Sequence, residues 1–405
     1  TNGWMRDEPR YDMLQIIHEY ALERMRERGE EGAIRRLHAE HYLALAEAAE
    51  SALEGPQQAE LMDWLDNEHD NLQAALGWAT AGGDPHLALQ LAASLAQFWG
   101  ARGYLTEGRR WLETALSAAP RGETTHRAKA LLGTGRLAAR QGDYPHAMAM
   151  YEQGLAIYRA LGDERGMALV LVRLGAAANE QGDFEAADSY YREGLALFRA
   201  LDDKVNIAGI LNNLGNQEII RGNVEQASAL YTESLQMARE LGNKLKVTVA
   251  LLNLGRLALY HRADFDAAAA YLEESLALYR WLGSKGGIAA TLYQLGQAML
   301  YQGTYSRARG YFEESLALCE QLSERPGIAA TRLGLGLAAL QQGGYRQARS
   351  LLIETMALYR DLQIRYGIIE NLEALAANGS GGNGSGLVRT SSSTSALSST
   401  TSKCS

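Results

Sequence analysis

Six glycines, Gly135, Gly175, Gly215, Gly255, Gly296 and Gly336, mark this chain at intervals of 40, 40, 40, 41 and 40 residues. A period of that length means one supersecondary unit repeated side by side. Each copy buries its apolar face against the next, so the chain can grow in one dimension without a single central core. The 405 residues need not divide into two or three compact domains, as length alone suggests.

The second copy shows what the unit is. Ala168 to Glu180 reads as a helix A, which Gln181-Gly182-Asp183 ends. Glycine closes a helix in the left-handed conformation, and Asp or Asn caps the next one. Helix B follows from Phe184 to Leu201, with Phe184, Ala187, Tyr191, Leu195 and Phe198 at the three-to-four spacing of one helical stripe. The turn recurs at Gly142-Asp143, Gly222-Asn223, Gly303-Thr304 and Gly343-Gly344, and at Asp264 with one residue inserted. Ala147, Ala227, Ala268, Ala308 and Ala348 hold a small position three residues into each helix B, where the two helices must approach closely.

A Leu-Gly pair in helix A followed by Ala and aromatic positions in helix B resembles the tetratricopeptide repeat, here with 40 residues where 34 is usual. The resemblance covers Ala128 to Leu362, and helix A of a seventh unit begins at Gly367-Ile368-Ile369. It implies an all-α fold, a right-handed superhelical solenoid of antiparallel helix hairpins. The wording before the repeats carries a second resemblance. Arg10-Tyr-Asp-Met-Leu14, Glu19-Tyr20-Ala21, Arg35-Arg-Leu-His38 and Trp64-Leu-x-x-Glu68-His69-Asp70-Asn71-Leu72 look like the segment after the winged-helix module of bacterial STAND-type, MalT-like signal-transduction ATPases and transcriptional regulators. That family implies a repeat-built sensor domain. The resulting organisation is an N-terminal helical region over 1–59, degenerate hairpins over 60–127, six regular repeats plus a terminal helix over 128–377, and a flexible Gly/Ser/Thr-rich tail over 378–405. The glycine-serine half of the tail reads as a linker, natural or engineered.

Several function classes fall away. A formal charge of −9 with no long basic run argues against nucleic-acid binding. Two cysteines, one in a helix and one in the tail, exclude a disulfide framework and fit a reducing compartment. No apolar run reaches the ~18 residues of a membrane span, and the first residues have no signal-peptide pattern, so the expected location is cytoplasmic. A chain opening at Thr1 reads as a piece of something longer. No Gly-x-x-x-x-Gly-Lys-Ser/Thr is present, so the ATPase module of the implied parent is not in this sequence. His38 and His41 supply two ligands where a structural zinc needs four. No cofactor, no metal and no enzyme activity are expected, since no nucleophile, base and orienter can be assembled.

The informative set lies two residues before and one after each marker glycine, where helix A of a tetratricopeptide array faces the concave groove. Arg136, Arg173, Asn213, Asn216, Asn253, Arg256, Gln294 and Gln297 hold those places, with Asn212, Glu180, Tyr260, Tyr293 and Tyr301 a turn away or less. Amides donate and accept at once, which suits a ligand rich in backbone amides or hydroxyls. Tyrosine adds flat apolar area with a polar tip, and Arg136, Arg173 and Arg256 would take an anionic group such as a carboxylate. The expected partner is an inducer in the groove, a peptide or protein by preference and an oligosaccharide as an option. The chain's own tail, through Leu387-Val388-Arg389, is a further candidate. The alternative is a tetratricopeptide interaction scaffold that does not switch.

Overall fold

The computed structural model describes residues 15–52 and 58–379. The readings placed on Arg10 to Leu14, on Leu387-Val388-Arg389 and on Cys404 lie outside the described residues. Every described element is a helix. Six irregular ones come first: α1 (Gln15–Arg28), α2 (Glu31–Ala52), α3 (Gln58–Asn67), α4 (His69–Thr80), α5 (Pro85–Arg102) and α6 (Leu105–Ala118). Six hairpins follow: α7–α8 (Thr125–Arg140, Tyr144–Leu161), α9–α10 (Glu164–Glu180, Phe184–Ala200), α11–α12 (Lys204–Ile220, Val224–Glu240), α13–α14 (Lys244–Leu257, Phe265–Leu282), α15–α16 (Lys285–Tyr301, Tyr305–Gln321) and α17–α18 (Arg325–Gln341, Tyr345–Asp361). A single helix, α19 (Arg365–Gly379), ends the series. The fold is all-α, built of stacked antiparallel hairpins. Among the described residues no helix is long and apolar enough to cross a membrane.

Two compact units divide the chain, Thr1–Leu197 and Phe198–Ser405. The first gathers the irregular helices around α5, whose Leu91, Leu95, Phe98 and Trp99 are all but removed from water. A helix apolar on nearly every face must be surrounded, and α2, α6 and α7 all pack on it. Gly108 of α6 lets that packing close: a Cβ there would stand 2.6 Å from the Trp99 side chain. This is the device of the regular repeats, met early in an irregular hairpin.

In the repeats the marker glycine makes room for a large side chain of its own helix B, a ring in four copies and Leu272 or Leu352 at Gly255 and Gly336. A methyl added at Gly135 would lie 2.4 Å from Tyr151, at Gly175 2.7 Å from Tyr191, at Gly215 2.4 Å from Tyr231, and at Gly296 2.5 Å from Phe312. The sequence suggests that glycine and the helix B alanine serve one helix crossing. The glycine receives the large side chain of helix B, at Gly255 with the Ala268 carbonyl 3.5 Å from an added methyl, and Ala147, Ala187, Ala227, Ala268, Ala308 and Ala348 are completely buried.

The turns behave as their residues require. Asp143, Asp163, Asp203, Asn243 and Asp264 each accept a backbone N–H from the first turn of the following helix. The one 41-residue interval has a definite structural form. The sequence places the extra residue at the turn before Asp264, whereas the structure absorbs it in the last turn of helix A, as a π-helical stretch at Ala258–Arg262. Single π turns are the usual way a helix takes up one inserted residue. Ala263 then closes the helix at φ 52°, where the equivalent position is Gly142, Gly182, Gly222, Gly303 or Gly343 in the other hairpins.

On the opposite side of the hairpins a charge ladder joins successive B helices. Arg159 meets Glu193 at 3.0 Å within the first unit. Within the second, Arg239 meets Glu274 and Arg280 meets Glu314, each at 2.7 Å.

Candidate functional site

In the second unit the expected amide ladder resolves into two layers. The lower layer is buried and bonded to itself. Asn212 Nδ2 donates to Ala208 O at 3.2 Å and to Ser234 Oγ of helix B. Asn253 Nδ2 in the next hairpin donates to Asn212 Oδ1, also at 3.2 Å. The Tyr260 hydroxyl donates to Gln294 Oε1 at 2.7 Å, and Gln297 Nε2 donates to the Tyr293 hydroxyl at 2.8 Å. Asn212, Asn253, Gln294 and Gln297 are all buried. A buried amide without partners is costly, so these bonds satisfy the groups and tie one hairpin to the next.

The upper layer lies nearer to solvent. Asn213 is half-buried and holds no side-chain hydrogen bond among the described residues. Asn216 is exposed and accepts from the Tyr231 hydroxyl at 2.7 Å, which leaves its NH2 group pointing outward as a donor. Arg256 is half-buried, and its charge reaches Tyr231, Tyr260 and His261. Burial first, then Arg256, pushes the His261 imidazole down, so it stays neutral near pH 7. Tyr301 is half-buried with its ring stacked on Phe265 at 5.8 Å.

One residue of this neighbourhood escapes a sequence reading. Glu370 of α19 lies within electrostatic reach of Tyr260, Tyr293 and Tyr366. Burial, and secondarily Glu373, pushes its carboxyl up to about 7. No hydrogen bond or ion pair of Glu370 exists among the described residues. The signal available in sequence is its place three residues before Glu373 in the terminal helix A. The marker glycine that draws attention to the other helices is absent there, because Ala376 stands in its place.

In the first unit Arg136 of α7 and Arg173 of α9 are brought together. Arg136 is half-buried; desolvation, then the like charge of Arg173, pushes its guanidinium down to about 10. The Tyr151 hydroxyl feels both arginines, but burial dominates and raises it to about 12. The histidine pair is placed differently: His38 packs its ring on Tyr42 at 4.8 Å, and among the described residues no cluster is arranged to hold a metal ion.

With this geometry in hand, comparison with known proteins decides the nature of the repeats. Tetratricopeptide repeat family models match residues 128–161, 206–280 and 287–361. These segments are tetratricopeptide repeats. A Mycobacterium tuberculosis protein whose name places it among the HTH-type transcriptional regulators is 32% identical over 170 residues, which is 40% of this chain and 19% of that protein. A Mycobacterium bovis counterpart matches to the same extent. The chain thus spans about a fifth of the length of the curated relatives it matches. Among solved structures, a STAND protein with a tetratricopeptide repeat sensor from Pyrococcus horikoshii is similar at a TM-score of 0.58 and 15% identity, over 80% of this chain and 50% of that one. A Rap protein complexed with competence and sporulation factor is similar at 0.57 and 13% identity, over 86% of this chain and 98% of that one. NprR in complex with its cognate peptide NprX is similar at 0.53 and 14% identity, over 84% and 94%. At such identities the likeness is one of fold.

Proposed function

We propose that this chain is the ligand-sensing array of a STAND-type transcriptional regulator, and that the A-helix face of its second unit holds an extended peptide. The observation that carries the reading is the two-layered amide ladder. Its buried layer, Asn212, Asn253, Gln294 and Gln297, is engaged in bonds within and between hairpins. Above it Asn213, Asn216, Arg256 and Tyr301 stand within three repeats of each other on one helical face. An extended peptide presents N–H and C=O groups in alternation, and amides that both donate and accept match it without regard to side chains. Oligosaccharide hydroxyls would use the same groups, and a folded protein would use them through a projecting segment. Two supports come from similar proteins: the NprR structure was obtained with its cognate peptide, and the Pyrococcus STAND protein carries a tetratricopeptide sensor.

The rungs between hairpins give the array its means of response. A ligand lying across α11, α13 and α15 contacts hairpins that already communicate through Asn253 to Asn212 and Tyr260 to Gln294, so its differential affinity for two arrangements would bias the whole set. The same rungs favour the second reading, an interaction scaffold that does not switch, if they hold one arrangement alone. A thermal-shift screen with extended peptides and oligosaccharides separates the readings. A ligand at one hundred times its dissociation constant stabilises by about 2.7 kcal/mol. The shift should vanish in an Asn213→Ala/Asn216→Ala/Arg256→Ala variant that melts normally alone. A screen in which neither library moves the transition, while a folded partner does, would replace the sensor with the scaffold.

A further inference from the structure

The first unit contains a place where positive charge converges without an acid to meet it. The head of Arg136 and that of Arg140 arrive at one point above Gly100, in the last turn of α5. A methyl built at Gly100 would stand 3.8 Å from Arg140 Nη1 and 3.9 Å from Arg136 Nη2. Arg140 is provided for, because its Nη1 donates to the Gly100 carbonyl at the negative end of that helix. Arg136 is not: among the described residues it has neither a hydrogen bond nor an ion pair. The charge of Arg173 acts on Arg136 from the next helix A, and both charges act on the Tyr151 hydroxyl. The carboxylate that reaches Arg136 is Glu50, and Lys129 already claims it at 3.3 Å.

A guanidinium cannot escape burial by losing its proton at physiological pH, as a carboxyl or an imidazole can. Half-burying one beside two more arginines costs stability unless a negative group is present. The overall charge of −9 makes the convergence more pointed, since acidic residues are in excess and yet, among the described residues, none forms an ion pair with Arg136. Tyr151 adds a hydroxyl donor, held in position because its ring fills the space left by Gly135.

We propose that Arg136, Arg173 and Tyr151 form an oxyanion-binding site, in which the carboxylate or phosphate group of a ligand takes the place of an acid. The site goes beyond the peptide reading of the second unit, because it assigns an anion to the first unit alone. Arg136 and Arg173 donate N–H groups to the anion's oxygens and the Tyr151 hydroxyl donates a further one, while Arg140 supplies long-range charge from its station on Gly100.

Thermal unfolding of the whole chain tests this without any peptide. Sodium acetate and sodium phosphate are titrated against sodium chloride at equal ionic strength, for the native sequence, Arg136→Met and Arg173→Gln. The native chain should gain melting temperature saturably with one or both oxyanions over chloride, and Arg173→Gln should need at least tenfold more anion for the same gain. Arg136→Met should melt higher than the native chain in chloride and ignore both oxyanions. That sign discriminates, since an arginine kept for structure would lower the melting temperature when removed. A response to phosphate alone assigns a phosphate group. A response to acetate, repeated by acetyl-trialanine as free acid but not as its amide, assigns a carboxylate. An equal response in all three proteins, or none in the native chain, overturns the site. If Arg136→Met does not fold, an undiminished response in Arg173→Gln overturns it by itself. The groove reading is judged separately at Asn213, Asn216 and Arg256, so either can fail alone.

Discussion

At the scale of single residues, burial decides which of the polar groups on helix A can act. Asn212 and Asn213 are neighbours in sequence, yet about 100° apart around a helix, and one is locked into Ser234 and Asn253 while the other is uncommitted. Sequence spacing alone brings both forward as ligand contacts. It does not distinguish them, because the partner that consumes Asn212 belongs to another helix 22 residues on. Asn212→Ala should therefore destabilise the fold by about 1–3 kcal/mol through the orphaned Asn253 amide, and Asn213→Ala should leave urea unfolding unchanged. Gly215→Ala brings a methyl 2.4 Å from the Tyr231 ring, an overpacking that costs about 1–3 kcal/mol in the same measurement. Glu370 gives a pH dependence. Its carboxyl is pushed up to about 7 when folded and titrates near 4.5 when unfolded. Between those values the folded chain binds more protons than the unfolded one, so stability falls as pH rises through that window and levels off above it. Glu370→Gln should flatten that part of the profile and stabilise the chain above pH 7, by up to roughly 3 kcal/mol.

At the scale of elements, the hairpin was fully legible and its defects were partly so. The 40-residue ruler, the Gly-Asp turns and the helix B stripe correspond to helices whose ends fall where the caps are. The 41-residue interval announces an extra residue, but a loop insertion and a π turn leave the same trace in sequence. The structure chooses the π turn because Leu257 and Leu259 stay in the core on both sides of its start. Ala263 at φ 52° then occupies a conformation that costs a side-chain-bearing residue about 1 kcal/mol. Ala263→Gly should recover about that much in a denaturation series. The same change elsewhere on a helix surface would destabilise. The ladder of arginine and glutamate between B helices is exposed, each pair contributing about 0.2–1 kcal/mol at most, and its role is to set register more than to supply stability.

At the scale of the whole molecule, the class of fold follows from periodicity, because a repeated half-buried hairpin can satisfy its apolar face only by stacking. The binding surface follows less directly. Repetition predicts that equivalent positions of successive A helices line one face, and the second unit places Asn213, Asn216, Arg256 and Tyr301 accordingly. Sequence does not reveal that Glu370 joins this neighbourhood, since its contribution depends on how closely the terminal helix approaches the earlier ones. The central claim is that the outer layer of that face, and not the buried layer beneath it, receives an extended peptide. Isothermal titration of a peptide drawn from the thermal-shift screen into the native chain, Asn216→Ala and Arg256→Ala measures this most directly. Each variant should still unfold cooperatively and bind at least tenfold more weakly. Undiminished binding in both would contradict the assignment and place the peptide elsewhere on the molecule.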